Sequence, residues 1–132
     1  SNQLSYFKST LYLTVLAFTI FSSAYGQKLN TDSLLSIIKN TKDDTIRVIN
    51  MRKLASYQIL HENKVEEGLL LLRNTEVLAK KIGFQRGICE VLLTRGNYHF
   101  QKSEWSKAID CFSALNEGAA LIPDPTIKNR TK

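Results

Sequence analysis

The sequence predicts an all-α fold of antiparallel helical hairpins stacked side by side, and three observations carry that expectation. Both prolines, Pro123 and Pro125, lie near the end of the chain, so from Lys28 to Ile122 no proline interrupts a helix by removing a backbone N–H. Apolar or small residues recur at spacings of three and four. Val65, Gly68, Leu69, Leu72, Thr75, Ala79 and Ile82 form one such stripe, and Trp105, Ala108, Ile109, Phe112, Leu115, Ala119 and Ile122 form another. The polar links between the periodic segments are short, which forces consecutive helices to run antiparallel.

Residues 1–26 stand apart from the rest. They hold a single charge, Lys8, and no acid; after the lysine an apolar run from Leu11 to Phe21 is broken only by Thr14 and Thr19 and gives way to Ser22-Ser23-Ala24-Tyr25-Gly26. A basic start, an apolar centre and a small-residue end are the three parts of a secretory signal peptide. Ala24 and Gly26 suit the narrow pockets of signal peptidase, with the cut before Gln27. A membrane span needs about 20 apolar residues, so the run is short for one; an uncleaved N-terminal anchor from Tyr6 to Tyr25 is the alternative. The expected location is therefore periplasmic or secreted, with membrane contact only through an uncleaved N-terminal segment.

Residues 27–43 are expected to hold a lead-in capping helix over 31–41, whose Leu34, Leu35, Ile37 and Ile38 cover one end of the stack. Helices over 44–61 and 64–82 make a first hairpin within 44–83, and helices over 85–101 and 104–121 a second within 84–122. Asn63 and Glu66 have capping-box spacing, and Ser103 stands at the corresponding start of the last helix. Gly83, after Lys80 and Lys81, suits a helix C-terminus, where the lysines complement the negative end of the dipole. Residues 123–132 form a basic tail with Lys128, Arg130 and Lys132.

With 132 residues the chain has room for one small domain, and 43% hydrophobic with 23% charged residues is a globular composition. The 18 Lys and Arg against 12 Asp and Glu give a net charge of +6, which invites a nucleic-acid reading. The placement of the charges opposes it: Lys64, Glu66, Glu67, Arg73, Glu76 and Lys80 alternate in sign as on a solvated helix face, and the tail holds much of the excess. No nucleic-acid partner is expected. Cys89 and Cys111 have no neighbouring thiol, so a CxxC site is absent. Export would allow a disulfide between them, but the helical reading puts them on different helices and not clearly opposite, which favours buried free thiols. His61 and His99 have no ligand-spaced partner, and the chain has no GxSxG, Walker-type glycine loop or GxGxxG. With no nucleophile set beside a base, neither an enzyme nor a cofactor or metal is expected.

The two hairpins superimpose in sequence at a constant shift of 40 residues, which sets Asn63 on Ser103, Val65 on Trp105, Gly68 on Ala108, Leu72 on Phe112 and Ser56 on Gly96. Size class and role are kept at each match, the signature of an internal repeat. Leu92, Gly96, Phe100, Trp105, Ala108 and Phe112, in the stretch LLTRGNYHFQKSEWSKAIDCF, resemble the tetratricopeptide repeat. Its two small residues, twelve apart, fall on Gly96 and Ala108 and again on Ser56 and Gly68, where close helix crossing leaves no room for bulk. The resemblance covers about residues 44–121. Arg52, in place of a large apolar residue, and His99, in place of an aromatic, depart from the pattern. The proline that commonly closes a unit is missing unless Pro123 serves, and the shift exceeds the usual repeat of about 34 residues.

The resemblance implies a short right-handed solenoid whose first helices line a concave groove for a peptide or helix of another protein. On this chain the groove positions would be Asn50, Lys53, Tyr57 and His61 in the first unit and Glu90, Leu93, Asn97 and Gln101 in the second. Lys53 and Asn97 lie in different units and Glu90 opposes an anion, so capture of a terminal carboxylate is not expected. The arrangement of export segment, lead-in and repeats resembles the N-terminal region of exported bacterial repeat proteins of signalling systems. The expected function is a non-catalytic protein–protein interaction module, an exported sensory or scaffold segment of a signalling protein. The alternative is a structural piece of a longer repeat array without binding activity of its own. Two units fall short of the three or more that usually make a stable stack. Trp105, Ile109 and Phe112 should therefore leave a sticky C-terminal helix face, to be met by further repeats, a second copy or a protein partner; the alternative is marginal stability with a frayed end.

Overall fold

A computed structural model describes residues 2–24 and 29–123. It contains six helices: α1 (Asn2–Ala24), α2 (Thr31–Asn40), α3 (Asp44–Leu60), α4 (Val65–Lys81), α5 (Gln85–Gln101) and α6 (Trp105–Ala119). No strand occurs among the described residues. The all-α hairpin stack expected from the periodicity is what the chain forms: α3 packs on α4 and α5 on α6 as antiparallel pairs, and α5 also lies against both α3 and α4. Helix bounds fall within two residues of those read from the sequence. Among the described residues α1 packs on none of the other helices, and no helix is long and apolar enough to cross a membrane. The expected cut before Gln27 and the basic tail from Asp124 onward lie outside the described residues.

Local chemistry sets each boundary. At the start of α2 the Asn30 side chain accepts from Ser33 N–H at 3.0 Å. Asp43 accepts from Thr45 and Ile46 N–H at 2.8 and 3.2 Å to start α3, satisfying donors that a helix N-terminus leaves open. Arg47 ties the two helices together. Its guanidinium donates to the Ile38 carbonyl at 3.1 Å and the Thr41 carbonyl at 2.5 Å, and it pairs with Asp44. A cation thus sits on the negative end of α2, while Leu34 of α2 is buried. Gly83, with φ +67°, ends α4 as expected. Its N–H reaches Lys80 O and the Phe84 N–H reaches Ala79 O, the paired bonds of a Schellman motif.

The turns inside the hairpins differ from the capping boxes read from the sequence. Neither α4 nor α6 begins with a side-chain cap. Asn63 and Ser103 instead adopt left-handed conformations, φ +54° and +57°, and serve the ends of α3 and α5. The Lys64 N–H returns to Gln58 O, and the Glu104 N–H to His99 O. A left-handed residue cannot supply the extended backbone that an N-cap needs, so the preceding helix's carbonyls took precedence. The equivalence of the two positions at a shift of 40 survives; their role is the closing of one helix rather than the opening of the next.

The centre of the stack is a cluster of Ala55, Leu72 and Val91, one each from α3, α4 and α5, all fully buried, with Leu71 against it. The close crossings lie where small residues were expected. A Cβ on Gly68 would come within 2.6 Å of Ile59 Cγ1 and 2.9 Å of the Ala55 carbonyl oxygen, and one on Gly96 within 2.5 Å of the Phe112 ring. Ala108 is buried on α6. Ser56 is half-buried and lies beside the first crossing rather than at it, the facing backbone being that of Ala55.

Both thiols are buried and free, and burial pushes the Cys111 thiol up. Cys89 Sγ lies across from Gly118, seven residues beyond Cys111 on α6. At 1.5 Å per residue the two cysteines are therefore offset by about 10 Å along the hairpin, beyond disulfide reach.

Candidate protein-binding groove

The packing of α5 beside α3 opens a pocket of 290 Å³ between the two first helices. From α3 it is lined by Arg52, Ser56, Ile59 and Leu60; from α5 by Leu93, Thr94, Asn97 and Tyr98, closing on Phe100 and Gln101. Of the four groove positions expected on α5, Leu93, Asn97 and Gln101 line the pocket and are exposed, and Glu90 does not line it. Glu90, a turn earlier, is held by two arginines: Arg52 Nε stands 3.1 Å and Arg86 Nε 3.4 Å from its carboxylate. The Arg52 N–H is not aimed at the oxygen, so this contact is electrostatic rather than a directed hydrogen bond.

On α3 the expected register is displaced. Asn50 is buried, and its Nδ2 donates to the Ile46 carbonyl at 2.7 Å, so it presents nothing to a ligand. Lys53 and His61 are exposed but outside the pocket lining, and Tyr57 stacks on His61 with ring centroids 5.1 Å apart. The residues that do line it, Arg52, Ser56 and Leu60, run parallel to Lys53 and Tyr57 one position away. The signal that could have found them was the repeat itself: Leu60 and Phe100 are equivalent at a shift of 40, and both are large, apolar and exposed at the end of a first helix. The partner of Arg52 lies on another helix, and its presence at a position the repeat usually gives to an apolar side chain was the second clue.

A different polar cluster fastens α4 to α5 on the other side. Glu76 Oε2 accepts from Arg95 Nη2 at 2.5 Å, and its Oε1 lies 2.8 Å from Lys80 Nζ. Burial alone would push the Glu76 carboxyl up, but the hydrogen bonds and charges of Lys80 and Arg95 outweigh it and hold the carboxyl below its ordinary value. His99 Nδ1 lies 3.5 Å from Glu104 Oε2, which joins the end of α5 to the start of α6. A hydrogen bond from Lys107 holds the Glu104 carboxyl down, and Glu104 in turn raises the Lys107 ammonium.

The last helix presents a second surface. Its buried face is Ala108, Cys111 and Gly118, yet Trp105 is 54% and Ile109 62% exposed, with Phe112 half-buried beside them. Phe100 meets Trp105 edge-on at 5.2 Å, so this face continues into the pocket. No group of three or more metal-ligating side chains converges among the described residues. Comparison with protein-family models, with curated proteins and with solved structures finds no match to the chain.

Proposed function

We propose that the chain is a non-catalytic protein–protein interaction module of tetratricopeptide-like design, exported as a sensory or scaffold segment of a signalling protein. The observation that carries this reading is the open pocket between α3 and α5, which combines exposed apolar side chains with the amides of Asn97 and Gln101. Amides spaced four residues apart on one helix face suit the backbone of a bound peptide. The export part rests on the composition of residues 1–26. Selection of displayed random peptides against the folded chain tests the binding role. Peptides should enrich whose binding is lost in Leu93→Ser and Asn97→Ala but kept in Val77→Ser, an exposed change on α4 away from the pocket. Absence of enrichment, or equal loss in all three variants, would overturn the reading.

A second reading, a structural piece of a longer array, draws on α6. The α4 positions equivalent to Trp105, Ile109 and Phe112 are Val65, Leu69 and Leu72. On α4 this stripe is partly to fully buried, with Leu72 in one cluster with Val91 of α5. A further helix of the α5 kind is the cover that the repeat itself provides for such a stripe. Under this reading the mass in solution at high concentration exceeds that of a monomer and returns to it in Ile109→Asp.

A further inference from the structure

The pocket between α3 and α5 has a chemistry of its own that narrows its ligand. Its apolar wall is formed by Leu60, Leu93 and Phe100, which remain 49%, 44% and 55% exposed, the state of side chains that lack the neighbour they would pack on. The charges around it are unbalanced. Among the described residues that line it, Arg52 is a cation and none is a carboxylate; Glu90, a turn before Leu93, is shared by Arg52 and Arg86, which leaves a surplus of positive charge. Lys53 is exposed one helical turn from Ser56 on the same face and adds to that surplus. Asn97 and Gln101 stand along the opposite wall as donors and acceptors for a peptide backbone.

We infer that this pocket takes one large apolar side chain of an acidic peptide segment from another protein, seated between Leu60, Leu93 and Phe100. The carboxylates that flank the anchor face Arg52 and Lys53, and the segment's backbone runs along Asn97 and Gln101. The inference deepens the interaction-module reading and rests on it. The apolar contact supplies affinity, and the charges supply orientation and partner choice.

Fluorescence anisotropy with three short labelled synthetic peptides tests it: an Asp/Ser peptide with a central Phe, the same peptide with Ser for Phe, and the Phe peptide with Lys for every Asp. The first should bind about tenfold or more tighter than the second, the factor that burial of one large apolar side chain supplies. It should also outbind the third and weaken as salt is raised. Leu93→Ser should remove the advantage of Phe over Ser, and Lys53→Glu, an exposed change that leaves the core untouched, should remove the advantage of Asp over Lys. Equal binding of the Phe and Ser peptides overturns the inference, as does binding that survives both variants. Loss on Trp105→Ser instead moves the site to α6, which overturns this assignment and leaves an interaction module standing. Failure of all three peptides overturns the ligand chemistry, while the random-peptide selection judges the module reading separately.

Discussion

The two hairpins share one design and differ in what lies beside them. In the first, α4 is flanked by α3 and α5, and Leu72 is fully buried at their junction. In the second, α6 packs among the described residues on α5 alone, and of the matching stripe Trp105 and Ile109 stay exposed while Phe112 is half-buried. The same pattern of small and large residues therefore yields a core in one unit and a largely exposed apolar stripe in the other. Position in the stack, rather than composition, decides which.

The largest contrast should come from deleting the equivalent anchors. Leu72→Ala should cost about 2–5 kcal/mol, because a fully buried side chain leaves a cavity lined by three helices. Phe112→Ala, at the open end, should cost less, since water and neighbouring side chains can fill the space. Thermal melts of both variants check the order, and an equal loss would break the comparison.

Next come the crossings. Gly68→Ala sets a methyl against the Ala55 carbonyl oxygen, which is backbone and cannot turn away, so a loss of about 1–3 kcal/mol is expected. Gly96→Ala meets the ring of half-buried Phe112, which can swing toward solvent, and alanine's better helix propensity offsets part of the strain. Denaturant midpoints should place Gly68→Ala well below Gly96→Ala.

A smaller effect of opposite sign is expected at the left-handed turn. Ser103→Gly relieves the positive φ of a residue with a Cβ, and should stabilise the second hairpin by about 0.5–1 kcal/mol, net of glycine's greater unfolded-state entropy. The smallest expected effect concerns pH and the α4–α5 seam. The Glu76 carboxyl is held below its ordinary value of 4.5 in the folded chain. Its contribution is therefore present above that value and lost as the pH falls through the lower folded one. Acid titration of the melting temperature should show a shallower fall in Glu76→Gln than in the unmodified chain; identical acid profiles would remove the seam from the account.

Much of this fold was legible because its signals are local and repeated. The proline-free length, the apolar stripes and the shift of 40 residues each follow from one helix or from one helix compared with another, and the observed helices agree to within two residues. The lateral placement of helices was less legible. Successive residues of α3 lie about 100° apart around its axis, so the rotation of α3 against α5 decides whether the row of Arg52, Ser56 and Leu60 or that of Lys53, Tyr57 and His61 lines the pocket. Arg52 with Glu90 ties α3 to α5, and Arg95 with Glu76 ties α4 to α5; the partners of both pairs lie far apart in sequence. The role of Arg47 at the end of α2 was hidden for a different reason: its acceptors are mostly backbone carbonyls, which carry no residue signature. Asn63 and Ser103 misled as capping residues because one residue type serves both a helix start and a left-handed turn.

Native-state amide hydrogen exchange on the chain at a concentration where it is monomeric tests the central contrast most directly. If the covered and open flanks govern the two hairpins, amides of α4 and of the α5 face packed on it should exchange slowest, with α6 opening at markedly lower free energy. Protection in α6 equal to that in α4 in the monomer would contradict the account.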